Sequence, residues 1–404
     1  MNHNSRTDSR PTQPPSPATG VLRPAAATRA ALGAYFLHLG ATGFGGPVVL
    51  VERMRRDLVE ARGWCSAAEY KEGLALAQLA PGPLAAQLAM YLGWARGGVA
   101  GATISGAAFV LPSFVMVLAI SAAYLRFGGL PWMQGVFYGV GAAVIAVIAS
   151  SAWRLARRTA GDDRLLWGVL IVNAAATAWA GAESIALLGA SGLLVLLVRA
   201  APRAPPAVAA AIVLPAWLVT GLHGAAPMGT LATLTAFFAK AGTVVFGSGL
   251  AIVPFLHGGV VLEMHWLTER QFLDAVAVSM ITPGPVVITV AFIGYLVAGP
   301  LGACAAAIAV FVPTWLAVVL VARWFHRVAQ NRQLRAAVDG VTAAATGAIV
   351  GAAIVLGRRA LVDWTTALLF LAALGIVLWI RRVPEPLVIV AAGIAGVLLR
   401  GPGA

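Results

Sequence analysis

Phe36-Leu37-His38-Leu39-Gly40-Ala41-Thr42-Gly43-Phe44-Gly45-Gly46-Pro47 opens a stretch that runs through Trp64 to Pro81-Gly82-Pro83, and most of that stretch occurs twice. The second copy opens at Phe238, passes Gly242, Phe246-Gly247-Ser248-Gly249 and Trp266, and closes at Pro283-Gly284-Pro285. A shift of 202 positions superposes these marks. With one residue deleted the match continues, Gly93 on Gly294, Gly101 on Gly302, Pro112 on Pro313, Gly139 on Gly340 and Arg158 on Arg359. A self-match of this kind is an internal duplication and takes precedence over any local assignment.

The solvent of the chain follows from composition. Hydrophobic residues make up 60% of its 404 positions and charged residues only 11%, where a soluble domain carries about 25%. Apolar runs of spanning length recur along the whole chain, and they do not alternate as barrel strands would, so the fold class is an all-α polytopic membrane protein. The net charge of +13 would point to nucleic acid in a soluble protein. Here Arg and Lys fix orientation by residing in cytoplasmic loops, and no nucleic-acid partner is expected. Cys65 and Cys304 form neither a ligand cluster nor a disulfide framework, and no metal or cofactor is expected.

Residues 1–27, rich in Ser, Thr, Pro and Arg, read as a disordered cytoplasmic tail. Apolar runs follow near 29–51, 73–95, 98–125, 131–153, 164–181, 184–199, 207–223, 229–256, 273–297, 300–324, 336–356, 361–380 and 385–399. They give about thirteen segments in a 6+1+6 arrangement: a first repeat over 28–203, a connecting segment over 204–227 and a second repeat over 228–404. The odd connector inverts the second repeat relative to the first, the plan of many secondary transporters, with substrate bound at the midplane. Counting Arg and Lys by loop gives 18 on the side of the N-terminus and 9 opposite, so the N-terminus is expected in the cytoplasm and the C-terminus in the periplasm. The 52–72 loop fits badly, since Arg53, Arg55, Arg56, Arg62 and Lys71 fall on the wrong side; a 29–51 segment that enters and leaves on one side is the alternative.

The chemistry-bearing features begin with the two proline-glycine-proline triplets. Each lies inside an apolar run, removes backbone donors and breaks the helix. Half-helix N-termini offer free N–H groups and the positive end of a dipole to an anion. Gly45, Gly46, Pro47 and Gly247, Ser248, Gly249 permit a turn whose N–H groups make a nest for oxyanion oxygens, or tight helix packing. Lys240 stands alone in an otherwise uncharged run and is a buried-cation candidate, with His38 as its repeat mate; snorkelling to an interface is the plainer reading. Gln78 and Gln87 flank the first triplet, and Thr282 and Thr289 the second, as neutral hydrogen-bonding groups or helix–helix glue. Glu72, Asp274 and Asp339 are proton-relay candidates, although interfacial acids are the preferred reading of the first two. Zinc-protease and hydrolase-elbow motifs are absent, so no catalytic residues are assigned. A Ser248–His257 dyad would leave the histidine unoriented.

Taken together, Phe-x-x-x-Gly-x-x-x-Phe-Gly-Gly-Pro at Phe36–Pro47, Gln-x-x-Pro-Gly-Pro at Gln78–Pro83, and their counterparts at Phe238–Gly249 and Pro283–Pro285 with Phe292-Ile293-Gly294-Tyr295 resemble the chromate ion transporter (CHR) family in its long, two-repeat form. The resemblance covers essentially the whole chain after the tail. It implies a bacterial inner-membrane protein, not an enzyme, that exports chromate, draws on the proton-motive force and confers chromate resistance. Thirteen crossings in antiparallel halves are implied too, and a homodimer is a further expectation. Two departures, Gly247-Ser248-Gly249 for three glycines and Met280 at the position matching Gln78, leave sulfate or another tetrahedral oxyanion as the alternative substrate, taken up or exchanged.

Overall fold

Both copies of the duplicated stretch fold into the same series of helices, and the positions at which these start, bend and stop match across the repeat. The computed structural model describes residues 27–44, 46–127, 130–200, 229–245, 249–325, 331–380 and 383–400. The tail but for its last residue, the connector expected over 204–227, and Gly45, Gly247 and Ser248 lie outside these. Among the described residues there is no strand.

In the first copy, α1 (Arg29–Thr42) is capped by the Thr28 side chain, which accepts from the Ala31 N–H, and stops at Gly43. Next comes α2 (Gly46–Met54), with Gly46 at φ +76° and Pro47 in the first turn, where its missing N–H costs nothing. It continues into a π-helical segment, Arg55–Ala61. This limb folds back along α1: the Tyr35 hydroxyl bonds Asp57 at 3.3 Å, and the Arg62 guanidinium lies 5.2 Å from the centre of the Tyr35 ring. The 29–51 run is therefore one limb and part of a second, broken where glycine frees the backbone, and both limbs open at the same end of the bundle.

The next hairpin repeats the device. A capping box between Ser66 and Glu69 starts α3 (Ala67–Leu79). It ends at Ala80, held extended because Pro81 follows. The first limb of α4 (Leu84–Phe127) returns alongside, with Gly73 under the Tyr91 ring and Arg96 paired to Glu69 at 2.6 Å. At Gly97 and Gly98 the helix breaks, with φ of −144° and +59°, and the 99–127 limb crosses beside α1, Gly33 against Ile104 and Gly40 against the Phe109 carbonyl.

The second copy does the same with different side chains. Its elements are α8 (Thr230–Val244), a 3-10 turn (Gly249–Ala251) leading into α9 (Ile252–Leu256), and a π segment, His257–Glu263. Phe237 of α8 packs on Phe255 and Trp266, so these limbs too form a hairpin. A Thr268–Gln271 capping box starts α10 (Glu269–Ile281), and a 3-10 turn (Val286–Ile288) leads into α11 (Thr289–Val321). The last is broken at Ala298 and Gly299, φ −143° and +62°, 201 positions after the first break.

Six further helices lie among the described residues. They are α5 (Pro131–Ala160), α6 (Arg164–Ala180), α7 (Ile185–Ala200), α12 (Arg332–Ala360), α13 (Trp364–Trp379) and α14 (Glu385–Arg400). The final pair of each copy packs on the other copy: α6 and α7 on α12, α13 and α14 on α5. Small residues permit the close approach, Gly340 meeting the Ser191 carbonyl and Gly139 meeting α14 at Ala392. Among the described residues, Leu84–Phe127, Trp132–Ala160, Val286–Val321 and Arg332–Ala360 are long and apolar enough to cross a membrane, and five shorter apolar helices accompany them. Large apolar side chains such as Ile308, Leu320 and Trp379 are exposed on the outside, as bilayer-facing residues are.

Polar contacts gather at the two ends of the bundle. At one, Arg199 pairs with Asp163 and Asp339, and Arg154 with Glu385 at 2.7 Å. At the other, Tyr124 donates to Asp274 at 2.7 Å, Arg359 pairs with Glu269 at 3.3 Å, and Tyr138 donates to Asp363 at 2.6 Å.

Candidate substrate site at the paired proline-glycine-proline loops

Proline on both sides of Gly82 and Gly284 ends one helix and begins the next, and each glycine takes a backbone conformation that an L side chain rarely adopts, φ +139° and +103°. Each glycine N–H then crosses to the other copy. Gly82 donates to the Val245 carbonyl at 2.6 Å, and Gly284 to the Gly43 carbonyl at 2.9 Å. Donors and acceptors are each 202 positions apart, so this is one bond made twice. A side chain at either glycine has no room: a Cβ on Gly82 would lie 2.7 Å from Thr314, and one on Gly284 would overlap the Ser113 hydroxyl.

Between the loops is a narrow cleft lined by Pro47, Leu50, Pro83, Ala85, Gly249, Gly284, Pro285 and Val286. These residues stand at the starts of four helical segments, those beginning at Gly46, Leu84, Gly249 and Val286. Helix starts carry backbone N–H groups without helical acceptors and the positive end of the peptide dipoles, so four of them on one cleft make it attractive to an anion. Its free volume of about 10 Å³ holds at most one water, too little for an oxyanion unless the two copies move apart. The larger cavity, about 380 Å³, is apolar, lies among α5, α12 and α13, and has none of this chemistry.

Family comparison agrees with the duplication. The family described as chromate transporter matches residues 30–214 and again 232–397. The chain belongs to the chromate transporter family. It is 55% identical over 368 residues to the chromate transport protein of Cupriavidus metallidurans, covering 90% of this chain and 91% of that one. To the chromate transport protein of Pseudomonas aeruginosa it is 34% identical over 388 residues, covering 91% of each. No solved structure matches it.

In this chromate transporter family member the expected site residues divide. Pro47, Pro81, Gly82, Pro83, Gly249, Pro283, Gly284 and Pro285 meet at or beside the cleft. Thr282 is buried at the end of α10, its hydroxyl donating to the Ser279 carbonyl. Gln78 and His38 are exposed. Lys240 is half-buried in α8, one turn before Val245, and makes no ion pair among the described residues. Of the acids, Asp274 is buried, 4% exposed, with Tyr124 donating to it; Asp339 pairs with Arg199 at a bundle end; Glu72 is half-buried in α3, near Tyr91. His257 has both ring nitrogens engaged, one 2.9 Å from the Gly181 carbonyl and the other 2.8 Å from Glu269, which leaves neither free to serve a nucleophile. Ser113 and Thr314, which touch the two loop glycines, were not among the sequence candidates. The signal was available, because each follows a proline, Pro112 and Pro313, that the repeat already pairs.

Proposed function

We propose that this chain is a secondary transporter that carries chromate across the bacterial inner membrane, exporting it at the expense of the proton-motive force and so conferring chromate resistance. The observation that carries the reading is the cleft itself: four helix starts and two proline-glycine-proline loops, contributed equally by the two copies, around a space without fixed countercharge. A tetrahedral oxyanion needs donors from several sides and partial neutralisation, yet must be released, and backbone N–H groups with helix dipoles meet both needs. The name of the Cupriavidus relative supports chromate as the cargo. Lys240 is the nearest candidate for an additional cation, and Asp274, buried between the copies, for the coupled proton.

The two copies insert in opposite senses in this reading. Tyr124, near the far end of the limb that leaves the first hairpins, reaches Asp274 in the helix that begins the second copy's triplet hairpin, so the two sets of hairpins enter from opposite ends. The hairpin shape of 29–61 returns the 52–72 loop to the end where it began. Among the described residues only Arg126, Arg270, Arg358, Arg359 and Arg400 then lie at the opposite end, and the other described basic residues except Lys240 share the N-terminal side. That distribution supports a cytoplasmic N-terminus more strongly than the thirteen-crossing count did.

The test is chromate flux in proteoliposomes with and without an imposed pH gradient. Accumulation that follows the gradient is expected; flux indifferent to it removes the proton coupling, and flux of sulfate but not chromate replaces the cargo. Lys240→Ala and Pro283→Ala are each expected to lower the flux.

A further inference from the structure

Five buried polar side-chain atoms have no hydrogen-bond partner among the described residues, and three of them sit at the two loops: Gln87 Oε1, Ser113 Oγ and Thr314 Oγ1. All three residues are fully buried. Such groups are costly and call for an explanation. Helical hydroxyls elsewhere in the chain settle the matter locally by donating to the carbonyl four residues earlier, as Thr103, Ser121 and Thr346 do. At Ser113 and Thr314 those carbonyls belong to Phe109 and Val310, and both are packed under glycines, Gly40 and Gly242. The hydroxyls turn instead to the loops, Ser113 to Gly284 and Thr314 to Gly82.

Gln87 differs in kind. Its Nε2 donates to the carbonyls of Ala80 at 3.1 Å and Pro81 at 2.8 Å. Those two bonds fix which end of the amide is which, so the free atom is an acceptor. Two hydroxyl donors and one acceptor are therefore held in reserve directly behind the loop glycines, next to the residues that line the closed cleft. A fully ionised oxyanion repels a carbonyl oxygen, whereas an oxyanion that keeps one proton bonds to it. Hydrogen chromate gives up its last proton near neutrality; sulfate has lost both well below it.

We infer that Ser113 and Thr314 donate to the transported anion and that Gln87 Oε1 accepts its proton, so that the site takes hydrogen chromate in preference to sulfate. The inference rests on the transport reading above and assigns the specificity of the same cleft. The measurement is chromate–chromate exchange in proteoliposomes at equal pH on both faces, with sulfate as competitor. Ser113→Ala and Thr314→Ala are each expected to raise KM roughly tenfold with little change in the maximal rate, since each removes one bond to a charged partner. Thermal stability should hold or rise, because a hydroxyl with no partner is being removed. Ser113→Thr and Thr314→Ser should restore KM. For the wild type, KM expressed in total chromate should rise with pH across the neutral range, and sulfate should compete poorly. Unchanged KM in both alanine variants, or a KM rise matched by a fall in thermal midpoint, overturns the donor assignment while the transport reading stands. A pH-independent KM, or sulfate competing as well as chromate, overturns the role of Gln87. Wild-type protein that exchanges no chromate overturns the transport reading and the inference with it.

Discussion

His265 occupies the position that Gly63 occupies in the first copy, and both are left-handed, at φ +51° and +58°. The conformation is free for glycine and costs a residue with a Cβ about 1 kcal/mol, which the bond between His265 Nδ1 and the Val261 carbonyl partly offsets. His265→Gly is expected to raise stability slightly, by less than about 1 kcal/mol, read as a higher midpoint of thermal unfolding in detergent, with transport unaffected. Gly284→Ala is the opposite case. The methyl group would enter a left-handed residue and overlap the Ser113 hydroxyl, so a loss of about 2 kcal/mol or more and no measurable flux are expected. The same comparison explains what could be read from the chain alone. Proline and glycine act on their own backbone, so the breaks at Pro81–Pro83 and Pro283–Pro285 were legible. A lone serine in an apolar helix normally bonds its own backbone, so the meaning of Ser113 emerges only once Gly40 is seen covering the Phe109 carbonyl.

At the scale of elements, the hairpins depend on ties at their open ends. Arg96 bonds Glu69 at the start of α3 and the Trp64 carbonyl just before it, at 3.0 Å, joining both limbs at one point. Arg96→Ala is expected to cost about 1–3 kcal/mol in a denaturation experiment, since it also strips a partly buried carboxylate of its partner. The loop between α6 and α7 carries a different burden: Glu183 Oε1 is shut away from solvent without a partner, and burial pushes that carboxyl up to about 8. A raised carboxyl favours the folded state while protonated. Its contribution is present below the ordinary carboxylate range and is lost as pH rises through about 8. Glu183→Gln should therefore flatten the fall in stability over that window, and an unchanged pH profile would discount the group. The fold-back of 29–61 was harder to read than the breaks. Its apolar run is long enough to span, and only the misplaced basic residues of 52–72 hinted that the chain turns at Gly43 and returns.

For the whole molecule, the opposed insertion proposed for the two copies has a direct check. Ala61 and Glu263 are repeat mates at the ends of the two π segments, and Asp162 and Val362 lie just past α5 and α12. In a chain whose Cys65 and Cys304 are replaced by serine, cysteines at Ala61 and Asp162 should react with an impermeant maleimide only from the cytoplasmic side. Cysteines at Glu263 and Val362 should react only from outside. Labelling of all four from one side would end the inverted arrangement. The duplication was legible because glycine and proline recur at fixed intervals. The exchange of α6 and α7 for α13 and α14 between the copies was not, because it is decided by which small-residue faces meet, Gly340 with Ser191 and Gly139 with Ala392, and no local pattern names a partner.

The crossed pair of glycine bonds bears on turnover. Under the proposed function, cargo reaching the Gly82 and Gly284 amides would have to evict the Val245 and Gly43 carbonyls, which stand ready to reclaim their places. In the proposed transport cycle loading and unloading would trade like for like, so the passenger would be held loosely and the cleft would return by itself to its shut form. The backbone alone would then guard against tight retention.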